Sequence, residues 1–193
     1  MIKIINLTKK FNGKDTIFQN LNFTFLDGKF NFIMGKSGFG KTTLLNMILG
    51  LDNDYTGKIS IDDNNFSVVF QEYRLLNNFS AIKNINIITK KEINMIINHL
   101  EQVDINLSEA KKPIIEFSGG MKQRVSIVRA IMFDSNYVIM DEPLKGLDVN
   151  TKEKVINYIK KYQMNRNFIV VTHDSEDIKS FTNKETLGNV LYL

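Results

Sequence analysis

The stretch Gly35-Lys36-Ser37-Gly38-Phe39-Gly40-Lys41-Thr42 constrains this chain more than any other. An apolar-rich run at 29–34 leads into it. A helical pattern at 41–49 follows and stops at Gly50, a residue suited to ending a helix. A strand turning through glycines into a helix is the wrap that cradles phosphate groups. Glycines let the backbone approach phosphate oxygens closely, with successive N–H groups pointing inward. The following helix adds its positive N-terminal end. Lys41 supplies a full charge toward the terminal phosphates, and the Thr42 hydroxyl is placed to ligate Mg²⁺. A glycine turn before an ordinary helix would give the Lys41-Thr42 pair no packing reason to stand there.

Strand and helix patterns alternate around this loop. Strands are expected at 2–5, 21–25, 29–34, 58–61, 66–70, 137–140 and 168–171, and a strand-like run closes the sequence at 190–193. Helices are expected at 41–49, 119–133, 151–163 and 175–181. Between 72 and 116 the character changes. Ile93, Ile96, Ile97 and Leu100 recur at helical spacing, which predicts a small helical insertion. Strands alternating with helices predict an α/β fold with a mainly parallel sheet covered on both faces.

Two further segments carry chemistry. Tyr137-Val138-Ile139-Met140-Asp141-Glu142 is an apolar strand that delivers carboxylates at its C-terminal tip, the edge where ligands gather in a parallel sheet. Asp141 is placed to hold a metal and Glu142 to polarise a water molecule. Ser118-Gly119-Gly120, leading into Met121-Lys122-Gln123-Arg124, forms a second anion-binding helix start. The second glycine costs helix stability without local return. Two solvated acids or an ordinary helix cap would explain either segment alone, but not both in company with the glycine loop.

Together these segments resemble the nucleotide-binding subunit of ABC transporters, over essentially the whole chain. The resemblance implies a single domain spanning 1–193: a phosphate-loop ATPase core, an N-terminal antiparallel β-subdomain and the helical insertion. Gly35, Ser37, Gly38, Gly40, Lys41, Thr42 and Thr43 match the Walker A segment, and Phe11 the aromatic that stacks on adenine. Gln71 matches the Q-loop glutamine that touches Mg²⁺. Ser118, Gly119 and Gly120 match the signature, and Gly146-Leu147-Asp148 the D-loop. Glu142, His173 and Lys41 are the implied catalytic residues; Thr42, Gln71 and Asp141 are the implied metal ligands. ATP and Mg²⁺ are the implied cofactors. In the family's arrangement two subunits face head to tail, each ATP lying between one Walker A loop and the other subunit's signature. The expected partners are therefore a second ATPase subunit, a transmembrane permease and an extracytoplasmic solute-binding protein, with the chain peripheral on the cytoplasmic face of the membrane.

The sequence departs from the family pattern in places. Phe117 stands where a leucine is usual, and Met121 where a glutamine is usual. The segment 41–71 is short, which implies a trimmed β-subdomain, and no regulatory domain is expected after 193. The strings Phe70-Gln71-Glu72-Tyr73-Arg74-Leu75-Leu76 and 118–124 are similar to the ATPases of nitrate, sulfonate and taurine importers.

Composition narrows the alternatives. With 43% hydrophobic and 24% charged residues the chain reads as a soluble globular protein, and no apolar run approaches bilayer length. The first residues are too few and too polar for a signal peptide. Absence of cysteine excludes disulfides and thiolate metal sites, and two distant histidines, His99 and His173, argue against zinc. The net charge of +4 comes from 21 Lys against 4 Arg, spread along the chain. That pattern favours a solvated basic surface over nucleic-acid binding. A soluble ABC-type ATPase acting on nucleic acid or ribosomes is the alternative function. Such proteins usually carry long coiled coils or two ATPase halves, and this sequence has neither. A phosphate-loop kinase or GTPase would leave Ser118-Gly119-Gly120 unexplained.

Overall fold

In the computed structural model of the chain, residues 1–11, 15–183 and 185–193 are described, without the side chains of Phe11 and Asp15. Five strands form a parallel sheet in the order β5-β6-β7-β3-β8. They are β3 (Phe30–Met34), β5 (Phe66–Val69), β6 (Tyr137–Asp141), β7 (Asn167–Thr172) and β8 (Leu187–Tyr192). A separate three-stranded antiparallel sheet, ordered β2-β1-β4, is built from β1 (Ile2–Phe11), β2 (Asp15–Phe25) and β4 (Thr56–Ile61). The α/β architecture expected from the alternating patterns is therefore present.

The central strands β3, β6 and β7 are buried on both faces because they are mostly apolar at both parities. Phe30, Phe32, Val138, Met140, Phe168 and Val170 face one core, shared with α5 (Gly119–Met132) and α6 (Val149–Lys161). Ile33, Ile139, Ile169 and Val171 face a second core, shared with α1 (Lys41–Ile48) and the antiparallel sheet. Each fully buried aliphatic or Phe side chain stabilises the fold by about 1.5–3 kcal/mol. These two cores hold the C-terminal edge of the sheet rigid, and the site stands on that edge.

The insertion is helical, as expected. It contains α2 (Ala81–Thr89), α3 (Ile93–Gln102), α4 (Leu107–Ala110) and a 3-10 turn at Ile114–Glu116. Ser80 caps α2 by accepting from the Lys83 N–H, and Asn106 with Glu109 forms a capping box on α4. Buried Asn84 fixes the approach to α2, accepting from Leu76 N at 2.7 Å and donating to Leu76 O at 3.1 Å. An isolated antiparallel bridge between Ser80 and Pro113 closes the insertion. The last helix, α7 (Ser175–Phe181), covers β3. No helix among the described residues is long and apolar enough to cross a membrane.

Element limits differ from the sequence reading mainly in the antiparallel sheet. β1 continues past Ile5 to Phe11, and β2 begins at Asp15 rather than near Leu21. Asn6 and Asn20 take positive φ, and the β1–β2 register shifts at several points. These bulges break the alternation that marks a strand. The helix expected at 151–163 starts earlier, at Val149, because Asp148 caps it by accepting from Thr151 N at 3.0 Å.

Candidate functional site

Sheet order brings the dispersed motifs to one edge. Adjacent strands β5, β6, β7 and β3 end respectively near Gln71, at Asp141, before His173 and before Gly35. Their C-terminal tips line a cavity of about 980 Å³. Its walls include Gly35, Ser37, Gly38, Gly40, Lys41, Thr42, Thr43, Gln71, Asp141, Glu142 and His173.

The glycine loop needs its glycines for backbone conformation and for space. Gly38 and Gly40 have φ of +87° and +85°, where a side chain is strained. A Cβ on Gly40 would also lie 2.4 Å from Ile17 Cγ2 and 2.8 Å from Phe18 Cζ, so the loop turns flush against β2. A Cβ on Gly35 would lie 2.7 Å from Leu193 O. Lys41 opens α1 with its side chain folded back, Nζ donating to Gly35 O at 2.7 Å and Lys36 O at 2.9 Å. Its charge is thereby tethered over the loop.

Across from it, Thr42 Oγ1 donates to Asp141 Oδ2 at 3.2 Å. Asp141 is 5% exposed. Burial pushes its carboxyl above the ordinary range; the Thr42 bond opposes that shift and the neighbouring Glu142 charge adds to it. A buried carboxylate beside a hydroxyl, with Gln71 lining the same cavity, is a hard-oxygen set suited to Mg²⁺. Among the described residues no cluster of three His, Cys, Asp or Glu could hold a metal by itself. A cation here would need oxygens from a bound phosphate group as well.

Glu142 leaves the sheet abruptly. Asp141 pairs with Val171 in the β6–β7 ladder, and Glu142 takes a φ of +52° while donating its N–H to Val171 O at 3.0 Å. That kink aims its carboxylate at the residue after β7. His173 Nδ1 lies 2.9 Å from both Glu142 carboxylate oxygens. The imidazole is largely exposed and the carboxylate largely covered.

Ser118, Gly119 and Gly120 stand elsewhere. Ser118 caps α5 by accepting from Met121 N at 3.3 Å. Neither it nor the glycines line the cavity, and Ser118 and Gly119 are exposed. Phe117, at the usual leucine position, is buried in the core, with Met121 packed beside it. Asp148 is a helix cap, and Leu147 packs toward Gly120, where an added Cβ would lie 3.4 Å from Leu147 Cδ2. Phe11 ends β1, but its side chain lies outside the described residues.

Some lining residues were not anticipated. Lys145, three positions after Glu142, brings a cation to the cavity and donates its N–H to Glu142 O at 3.2 Å. Its spacing from the acids was the available signal, hidden among the many lysines. Ile17, Tyr192 and Leu193 also line the cavity, brought there by β2 and β8. No local motif marks them.

Comparison with known proteins agrees with this geometry. The family model described as "ABC transporter" matches residues 18–145. An uncharacterized ABC transporter ATP-binding protein of Bacillus subtilis, YclH, is 34% identical over 93% of this chain and 94% of its own length. The spermidine/putrescine import ATP-binding protein PotA of Mycoplasma capricolum is 31% identical over 98% of this chain, which spans 59% of PotA. The aliphatic sulfonates import ATP-binding protein SsuB of Bacillus cereus is 34% identical over 93% of this chain and 78% of its own length. Among solved structures, the dimeric structure of MJ0796, a bacterial ABC transporter cassette, superposes with a TM-score of 0.84 at 28% identity, covering all of this chain and 94% of MJ0796. A second MJ0796 structure, described as a post-hydrolysis state bound to ADP and Pi, matches equally. With the matched family model, the YclH likeness and the shared architecture in agreement, the chain belongs to the ABC transporter family as one of its ATPase cassettes.

Proposed function

We propose that the chain binds ATP with Mg²⁺ and hydrolyses it as one half of a head-to-tail pair that powers a membrane importer. One observation carries the reading. The glycine loop, Lys41, Asp141, Glu142, His173 and Gln71 share one cavity, whereas the exposed Ser118 cap lies outside its lining. A single chain thus presents one nucleotide site and one separate anion-binding helix start, which a second copy can bring together.

Each residue has a chemical task. Loop N–H groups and Lys41 hold the phosphates. Thr42, Asp141 and Gln71 would hold Mg²⁺, which supplies charge neutralisation on the phosphates when bound. Glu142 orients and polarises the attacking water, and His173, already in contact with Glu142, positions that carboxylate and reaches toward the terminal phosphate. Ser118, Gly119 and Gly120 serve the partner's nucleotide.

The import role draws support from PotA and SsuB, whose names describe import ATP-binding proteins of different cargo. A permease, a solute-binding protein and a position on the cytoplasmic face of the membrane follow from that role. The test is calorimetric titration with ATP and Mg²⁺, paired with Lys41→Ala. Loss of a charge-assisted contact of this kind weakens binding by roughly 100-fold. Unchanged affinity in the variant would remove the phosphate-loop assignment.

A further inference from the structure

Arg129 is partly buried on α5, and among the described residues it forms no ion pair with a carboxylate. Its polar contacts are Nη1 to Arg74 O at 2.8 Å and Nη2 to Tyr73 O at 3.1 Å. Burial alone pulls its ionisation below the ordinary arginine range, with no opposing anion. A partly buried cation is costly, and an apolar residue would pack there at lower cost. Among the described residues, what it gains is a grip on two consecutive carbonyls.

Those carbonyls belong to the segment that carries Gln71. Ser126 Oγ donates to the same Tyr73 carbonyl at 3.1 Å. Arg74 takes a φ of +45°, a conformation that persists only where surroundings fix it. Its guanidinium lies 3.5 Å from the Phe70 ring centroid, so residues on either side of Gln71 clasp each other. At the other end of α5, the Tyr73 hydroxyl comes within 3.1 Å of where a Cβ on Gly119 would stand.

The geometry points to Arg129 as a positioning residue that locks the Gln71 segment to α5, so that Gln71 and the Ser118 cap keep one fixed relation. It does not line the cavity; it acts through Gln71. This rests on the proposed role of Gln71 at the nucleotide site.

The test is a double-mutant cycle on ATP turnover and ATP affinity, using Arg129→Met, Gln71→Ala and the double variant. Arg129→Met is expected to lower kcat about tenfold while leaving ATP affinity within about twofold, the split expected when only the reacting arrangement is disturbed. Arg129→Lys should recover part of the loss. The double variant should be no slower than Gln71→Ala alone. Additive losses, or full turnover in folded Arg129→Met, would overturn the proposal. If Arg129→Met does not fold, Ser126→Ala enters the same cycle with the same criteria. An inert Gln71→Ala, in an otherwise active protein, would instead refute the role given to Gln71.

Discussion

Thr42 Oγ1 and Asp141 Oδ2, 3.2 Å apart, join the first turn of α1 to the tip of β6. Asp141 reaches that position at a cost, since burial disfavours its charge. For a carboxyl raised above its ordinary 3.8, stability is present below that value and is lost as pH rises through the folded value. The buried Asp141 carboxyl is therefore a destabilising group in the ligand-free protein above the acid range, a cost that a cation would offset. Asp141→Asn should raise the Tm of the ligand-free protein by a few degrees, for about 1 kcal/mol gained. It should also abolish the extra stabilisation that Mg²⁺ adds to ATP. Thermal unfolding with and without each ligand checks both; a lower ligand-free Tm would mean that the Asp141 carboxyl is not destabilising.

Gly40→Ala tests the fit of the loop against β2. The new Cβ would meet Ile17 and Phe18 at a backbone conformation already unfavourable for alanine. A destabilisation of about 1–3 kcal/mol is expected, lowering Tm by roughly 5 °C. Circular-dichroism melts measure it. An unchanged Tm would mean that the loop is not pressed against β2.

His99 joins the insertion to α6, with Nδ1 2.7 Å from the Tyr158 hydroxyl and its ring stacked on Tyr162. Burial, aided by the Lys161 charge, lowers its ionisation below the ordinary 6.5. Protonation therefore opposes folding, and its stabilising share is lost as pH falls below 6.5 toward the depressed value. His99→Gln should lose less stability than wild type over that acid window. Chemical denaturation at several pH values compares the slopes, and identical slopes would remove His99 as their cause.

Ser118→Arg tests the proposed separation between the nucleotide cavity and the Ser118 cap. The cap hydroxyl is lost, for about 1 kcal/mol of stability. Because Ser118 is exposed and outside the cavity, ATP binding by the monomer should remain. Pairing in the presence of ATP should fail, as sedimentation velocity would record. Loss of both together would make Ser118 structural.

The site was legible in the sequence wherever local chemistry leaves a pattern. The glycine loop, the apolar run into Asp141-Glu142 and the capped start of α5 each declare themselves within a few residues. Convergence of Gln71 and His173 on that cavity depends on the order β5-β6-β7-β3, which spacing alone does not encode. The N-terminal sheet was the least legible part. Lys9 is buried in β1 and bonds to Asp52 and to the Asp54 carbonyl, a long-range arrangement that looks polar in sequence. Arg129 was hidden for the same reason: its partners are main-chain atoms more than fifty positions away.

In the proposed pair, each chain completes its neighbour's site. Glu142→Gln keeps the shape of the side chain while removing the charge proposed to polarise water, so ATP should hold two copies together without being consumed. Light scattering on size-exclusion chromatography, with saturating ATP and Mg²⁺, measures the mass directly. A shift of Glu142→Gln from monomer to dimer on adding ATP is the predicted result. A monomer under those conditions, with ATP bound, would contradict it.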